Sequence, residues 1–314
     1  MSESRFVAAV VQAAPQYLDI EASTGKAVEL IRSAAESGAQ MIAFPELWLP
    51  GYPWWAWLGP QAWADSRGFA SRYRREAFDY SGPNAQRLSE AARRYDMVVA
   101  MGVAERAGDT LYIGQWLIDQ DGQTLWRRRK LKPGLVERGL FADGDGDNLN
   151  VADTPLGRVG GLCCGEHRQP LFKYALHRQH EDIHVAAWPS FSLDQPQAVG
   201  IGPQVNNALS QVYAVEGGCY VLAPCALVTD AMIELVCDTP ERRARLQKGG
   251  GFARAFGPHG NALGVPLGEC EEGLLLVTIE RDEIPAAKMG YDVCGHSARL
   301  DVVDLDARSH TVKP

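Results

Sequence analysis

The sequence contains no run of about 18 consecutive apolar residues, so no segment of it reads as a transmembrane helix and no membrane partner is expected. Its amino terminus, Met1-Ser2-Glu3-Ser4, has neither the basic stretch nor the apolar core of a secretory leader, which makes cytoplasmic the expected localisation. A disulfide framework is lacking too: seven cysteines are scattered over 314 residues, two of them adjacent at Cys163 and Cys164, without the close even spacing of a stapled secreted domain. Basic charge is in short supply, with a formal net charge of −8, which argues against nucleic acid as a partner. The one basic run, Arg127-Arg128-Arg129-Lys130, is therefore read as an exposed strand face or a contact between subunits. Neither a Pro/Gly/Ser-rich linker nor an internal repeat divides the chain, so residues 1–314 are expected to form one elaborated domain.

What is present is an alternation of short apolar runs and amphipathic segments. Phe6–Gln12, Met41–Phe44, Met97–Val103, Arg158–Cys164, Ile183–Ala187 and Tyr220–Ala223 read as buried strands, rich in β-branched residues and bounded by turn formers. Between them, segments such as Asp19–Gly38, Asn84–Tyr95, Leu171–Gln179 and Gln204–Glu216 carry apolar residues at helical spacing. Leu111–Asp119 and Thr124–Lys130 are joined through Asp121-Gly122, a dipeptide suited to a tight hairpin, so the sheet is expected to be mixed. Further strands are read at Phe252–Phe256 and Leu274–Ile279. The implied class is α/β, with helices layered on sheets.

Three polar residues stand where predicted strands run out into loops: Glu46, Lys130 and Cys164. Ligands collect at such carboxyl ends because the diverging loops leave a crevice there. A thiol becomes a strong nucleophile once it loses its proton; Glu46 can take that proton and Lys130 can stabilise the anion. Gly160-Gly161-Leu162-Cys163-Cys164-Gly165-Glu166-His167 also has the form of a nucleophile elbow, and Gly165 would leave its backbone N–H free to face an oxyanion.

The wording around those residues resembles the nitrilase superfamily of carbon–nitrogen hydrolases. Phe44-Pro45-Glu46-Leu47-Trp48-Leu49-Pro50-Gly51-Tyr52-Pro53 is similar to that family's first catalytic segment, Arg129-Lys130-Leu131-Lys132-Pro133 with Val136-Glu137-Arg138 to its second, and Gly161-Leu162-Cys163-Cys164-Gly165-Glu166-His167 to its third. The resemblance implies a four-layer α-β-β-α sandwich with two mixed sheets. It also implies Glu46 as general base, Cys164 as nucleophile, Lys130 as the cation for developing negative charge, and Glu137 as a second glutamate that orients Lys130. No metal or organic cofactor is implied. The first segment looks most like the nitrile-cleaving branch, which implies hydrolysis of a small organic nitrile to a carboxylic acid and ammonia through a thioimidate and a thioester on Cys164. It further implies a homodimer or a higher, spiral homo-oligomer, with the tail from about residue 285 engaged in subunit contacts. Gly165 departs from the Trp common after the nucleophile, which should enlarge the pocket.

For substrate contact, Tyr52, Trp188 and His167 are the candidates. Trp54, Trp55 and Trp57 extend the aromatic patch beside Tyr52 and read equally as pocket lining or as packing. His167 also has a plainer reading, as a helix-start histidine satisfied by backbone. These aromatics and the small residue at 165 suggest an arylaliphatic nitrile such as an arylacetonitrile, with aliphatic nitriles still open. His177, His180 and His184 do not share one face, and Asp143, Asp145 and Asp147 lack the Gly and Glu that a calcium loop requires after them. Thr239–Gly251 reads as an excursion at the rim of the site or at an interface. The competing functions are an amidase or carbamoyl hydrolase of the same superfamily and, from a different class, a non-catalytic assembly protein.

Overall fold

The computed structural model describes residues 4–302. Strands β1 (Arg5–Gln12), β2 (Ala39–Ala43), β3 (Val98–Ala107), β4 (Thr110–Ile118) and β5 (Thr124–Arg129) form one sheet with the late strand β11 (Gly273–Glu280), in the order β11-β1-β2-β3-β4-β5. The second sheet has the order β10-β9-β8-β7-β6, from β6 (Ala152–Thr154), β7 (Gly157–Cys163), β8 (Ile183–Ala187), β9 (Tyr220–Ala223) and β10 (Arg254–Phe256). Both sheets are mixed. β1, β2 and β3 are parallel, with β11 antiparallel to β1, β4 antiparallel to β3 and β5 antiparallel to β4; β7, β8 and β9 are parallel while β6 and β10 flank them antiparallel.

Period-two alternation explains why the sheets stack. Along β1, Ala8 and Val10 belong to the core shared with the second sheet, whereas Ala9 and Val11 pack with Ala27, Ile31 and Ala34 of the helix Ile20–Glu36. That helix starts where the sequence places it: the Asp19 side chain accepts from the Ala22 N–H, and Gly38 follows its end at φ +81°. The helix Pro83–Arg94 completes the outer layer on this side. Helices Pro170–His177 and Pro203–Gly217 cover the second sheet, giving the four-layer α-β-β-α sandwich. Between the sheets, Trp126 Nε1 donates to the Val159 carbonyl at 3.2 Å and Gln115 Nε2 to the Val185 carbonyl at 3.3 Å, so the polar tips of inward-facing residues are satisfied across the layer.

Because β4 and β5 each reverse direction, β5 runs in the same sense as β2. The residues just beyond β2 and β5 meet those just beyond β8 and β7 of the other sheet, through the Glu46 N–H on the Trp188 carbonyl and the Leu131 N–H on the Glu166 carboxylate. Beyond β2 the chain lies directly on β3: a Cβ at Gly102 would overlap the Pro45 carbonyl oxygen, so only glycine allows the loop that carries Glu46 to sit this close. The Glu46 N–H in turn donates to the Trp188 carbonyl at 3.2 Å, fastening that loop to the end of β8 in the other sheet.

Several elements differ from the sequence reading. Short helices at Trp55–Leu58, Gln61–Ser66, Phe69–Arg75, Asp230–Val236 and Pro240–Arg245, and the three-residue β6, were not foreseen, because none is long enough to show a period. Of the tail from about residue 285, the helix Glu283–Gly290 and the stretch to 302 are described; 303–314 lies outside the described residues.

Candidate active site

Glu46, Lys130 and Glu137 come together as one buried cluster. Lys130 Nζ donates to Glu46 Oε1 and to Glu137 Oε2, each at 2.8 Å, with all three side chains at most 4% exposed. Lys130 follows the last residue of β5, and its own N–H is held by the Ile113 carbonyl of β4 at 2.7 Å. Glu137 sits on the short 3-10 helix Leu135–Gly139, where its Oε2 also accepts from the Gly134 N–H at 2.6 Å and its Oε1 from the Tyr52 hydroxyl at 2.8 Å. Tyr52 thus fixes a carboxylate as well as lining the cavity.

Cys164 lies immediately after β7, with φ +43°, in a left-handed conformation that non-glycine residues seldom adopt. The turn that follows presents its sulfur to the cavity that also reaches Lys130 and Glu137. Glu46, Lys130 and Glu137 are near enough to act electrostatically on the thiol, and the Gly165 N–H is near enough to its sulfur to favour the thiolate. Burial pushes the Cys164 thiol up, as does the Glu46 charge, while Lys130 opposes both; the resting form is the thiol. Burial likewise pushes the Glu46 carboxyl up to about 8 against the pull of Lys130, with Glu137 adding to the rise. Burial alone would drive the Lys130 ammonium down, but two carboxylates outweigh it and hold it well above its ordinary value. One ammonium flanked by two carboxylates leaves a surplus negative charge, and Glu46 is where a proton best relieves it. Its Oε2 has no hydrogen-bond partner among the described residues, so a lone pair remains to receive that proton.

A second buried pair ties the thiol segment to the lysine strand. Arg128 Nη2 donates to Glu166 Oε1 at 2.7 Å; Glu166 also accepts from the Cys163 N–H at 2.8 Å and the Leu131 N–H at 2.9 Å. Burial pushes the Glu166 carboxyl up, but Arg128 and the two N–H donors outweigh it and hold it below the usual carboxylate range. Arg128 is 2% exposed, which corrects the reading of the basic run as a uniformly exposed face or subunit contact. Within that run Arg127 lies over the Tyr80 ring and Arg129 pairs with Glu105. Sequence reasoning missed Glu166; the available signal was a carboxylate three residues after Cys163, the spacing at which a side chain reaches back to a backbone N–H at a helix start.

The cavity is about 340 Å³, and Tyr52, Trp54, Trp57, Phe172, Phe191 and Leu193 give it an apolar wall around the polar floor. Gly165 is on its surface, and a Cβ added there would meet nothing within 4 Å. Trp55 is instead packing, fully buried against Phe69 and Tyr73. The structure does not put Trp188 or His167 on the cavity wall. Both are buried behind it and stacked on each other at 5.0 Å, the Trp188 indole donating to Ser210 Oγ and His167 Nδ1 meeting the Cys164 carbonyl at 2.9 Å. Their expected substrate contact is thereby corrected: β8 directs the Trp188 ring into the core. Thr239–Gly251 lies beside the rim, where Arg245 pairs with Asp194 and donates to the Trp57 carbonyl.

Cys163 points the other way from Cys164, with its sulfur 3.7 Å from Arg128 Nη1 and away from the cavity. Cys163→Ala should accordingly retain at least about a third of wild-type kcat, since a buried one-atom truncation costs stability more than chemistry. Steady-state rates corrected for folded protein check this.

A sequence model described as carbon-nitrogen hydrolase matches residues 7–289. A protein of Pseudomonas syringae pv. syringae (strain B728a) named nitrilase is 50% identical over 297 residues, covering 95% of this chain and 88% of that protein. An Alcaligenes faecalis protein named nitrilase, arylacetone-specific, is 44% identical over 299 residues, covering 95% and 83%. Among solved structures, a carbon-nitrogen hydrolase from Helicobacter pylori G27 superposes with a TM-score of 0.74 at 16% identity, covering 96% of this chain and 97% of that one, and shares the fold.

Proposed function

The chain belongs to the carbon-nitrogen hydrolase family, and from that premise we propose that this hydrolase is a nitrilase whose nucleophile is Cys164. The observation that carries the reading is Lys130, clamped at 2.8 Å by both Glu46 and Glu137 beside a thiol at the floor of an apolar cavity. Glu46 takes the Cys164 proton as the sulfur attacks the nitrile carbon, and the developing charge on nitrogen is met by Lys130 and by the Gly165 N–H. Protonation of that nitrogen gives a thioimidate. Water adds to it, ammonia leaves, and a thioester remains; a second water, activated by Glu46 with Glu137 beside it, releases the carboxylic acid and restores the thiol. Each such donor typically contributes about 3–4 kcal/mol to the transition state.

The substrate is read as an arylaliphatic nitrile. Tyr52, Trp54, Trp57, Phe172 and Phe191 offer ring faces, and Gly165 leaves room next to the sulfur. Ammonia release from arylacetonitriles, aliphatic nitriles, aromatic nitriles and the matching amides tests this. The arylacetonitriles should turn over fastest; ammonia from the amides alone would replace the reading with an amidase.

A homo-oligomer belongs to the same reading. Leu171, Val212 and Val215 are exposed on the helices covering the second sheet, an apolar surface suited to a second copy. A purely monomeric sedimentation profile would remove this part.

Activity should depend on pH through Glu46. A base must be ionised to act, so kcat/KM should rise as pH increases from 6 to 8.5, with its acid limb near 8 and far above the ordinary carboxylate value of 4.5. Stability runs the other way. The folded state holds a proton that the unfolded state has lost, so this group's stabilising contribution is complete below about 4.5 and is lost as pH rises through about 8. A rate profile that stays flat down to pH 5.5 would exclude Glu46 as the base.

A further inference from the structure

Behind the nucleophile runs a buried chain of hydrogen bonds that the reaction steps above do not use. His167 Nδ1 is 2.9 Å from the Cys164 carbonyl oxygen, His167 Nε2 is 3.0 Å from His184 Nε2, His184 Nδ1 is 2.9 Å from Glu181 Oε1, and the Tyr213 hydroxyl donates to Glu181 Oε2 at 2.5 Å. His167, His184, Glu181 and Tyr213 are each at most 1% exposed. The space for this chain is made by sequence: a Cβ at Gly160 of β7 would overlap Glu181 Oε1.

The donors can be assigned by elimination. A carbonyl oxygen only accepts, so His167 Nδ1 carries a hydrogen. Burial drives His167 down to about 3, so the ring is neutral and its Nε2 accepts. His184 Nε2 must then donate, which leaves one proton to occupy the link between His184 Nδ1 and Glu181 Oε1. Burial pushes His184 well down and Glu181 up, so of the two the carboxyl is the better holder of that proton. All members then point one way, ending at the Cys164 carbonyl.

That carbonyl shares its peptide plane with the Gly165 N–H. In a trans peptide the two point in opposite directions, so His167 holding the oxygen on one side fixes the N–H on the other, within reach of acting on the Cys164 sulfur. A donor on the carbonyl also polarises the unit and strengthens its N–H.

We propose that His167, His184 and Glu181 are positioning residues that aim the Gly165 N–H as an oxyanion donor by holding the Cys164 carbonyl through one buried, directional chain. This rests on the reading of Cys164 as nucleophile. The chain acts on a donor used in the transition state, so breaking it lowers kcat and leaves KM nearly unchanged.

The test compares His167→Leu, Glu181→Leu and Glu181→Gln with wild type on an arylacetonitrile, with rates referred to folded enzyme counted by alkylation of Cys164. Glu181→Leu and His167→Leu should lose tenfold or more in kcat with KM within about twofold. Glu181→Gln should recover most of that loss, because its amide N–H₂ can donate to His184 Nδ1 while its carbonyl accepts from Tyr213. A merely structural role would lower the melting temperature and the count of folded enzyme while leaving kcat per site unchanged. The proposal is overturned if both leucine variants turn over like wild type per site, or if Glu181→Gln is as slow as Glu181→Leu. If alkylation of Cys164 leaves wild-type turnover intact, it is the nucleophile assignment that has failed.

Discussion

Replacing Cys164 with alanine is expected to lower kcat by a factor on the order of 10⁵–10⁶, the scale seen when a covalent nucleophile is removed while the rest of a site stays in place. The fold should survive. The side chain ends in a cavity, the strained φ of +43° belongs to the backbone, and alanine meets that strain no worse than cysteine. Far-UV circular dichroism and a melting temperature within a few degrees of wild type would show that folding is retained. A Cys164→Ala enzyme that turns over within about a hundredfold of wild type would mean that the bond to carbon is made by another group.

Lys130→Met carries the next largest expected effect, a loss in kcat/KM of at least about 10³. Two consequences combine. The developing negative charge loses its cation, and Glu46 and Glu137 lose the ammonium that each contacts at 2.8 Å. With Lys130 gone, both its direct attraction and its hydrogen bond stop lowering the Glu46 carboxyl, so the base is ionised only at higher pH. The acid limb of the rate profile should therefore move upward as the maximum rate falls. Stability should drop as well, because removing one partner of a buried charge cluster leaves the others uncompensated, at a cost of about 3–5 kcal/mol. Lys130→Arg should rescue little, since a planar guanidinium does not fit a point charge shared between two carboxylates. Kinetics across pH, with a denaturant midpoint for each variant, check both effects.

Much of this site was legible because its groups sit at places that local sequence marks. Glu46 and Cys164 stand at the ends of strands read from apolar runs and Lys130 at the end of a strand read from its hairpin turn, and each lies within a few residues of Pro or Gly where the chain must turn. The strands Ile183–Ala187 and Tyr220–Ala223 have the extents that their runs imply. What escaped was pairing over distance. Arg128 reads as part of a solvated run until its partner Glu166, 38 positions away, is brought beside it by the stacking of two sheets. Glu181 and Tyr213, 32 positions apart, meet only because the helix Pro203–Gly217 lies over β8. Trp188 and His167 failed as substrate contacts for a related reason: a residue beside a catalytic motif can face the cavity or the core, and side-chain direction at the end of a buried strand is decided by packing. The histidines at 177, 180 and 184 carried a similar lesson. Their spacing suggests metal ligands until the strand of His184 breaks their common face, yet His184 is central to a chain that spacing alone could not show.

The measurement that bears most directly on the central claim is peptide mapping by mass spectrometry of enzyme acid-quenched during turnover of an arylacetonitrile. The predicted result is a substrate-derived mass on the peptide containing Cys164, localised to that sulfur by fragmentation. A substrate-derived mass on Cys163 or on any other side chain, with Cys164 unmodified, would contradict it.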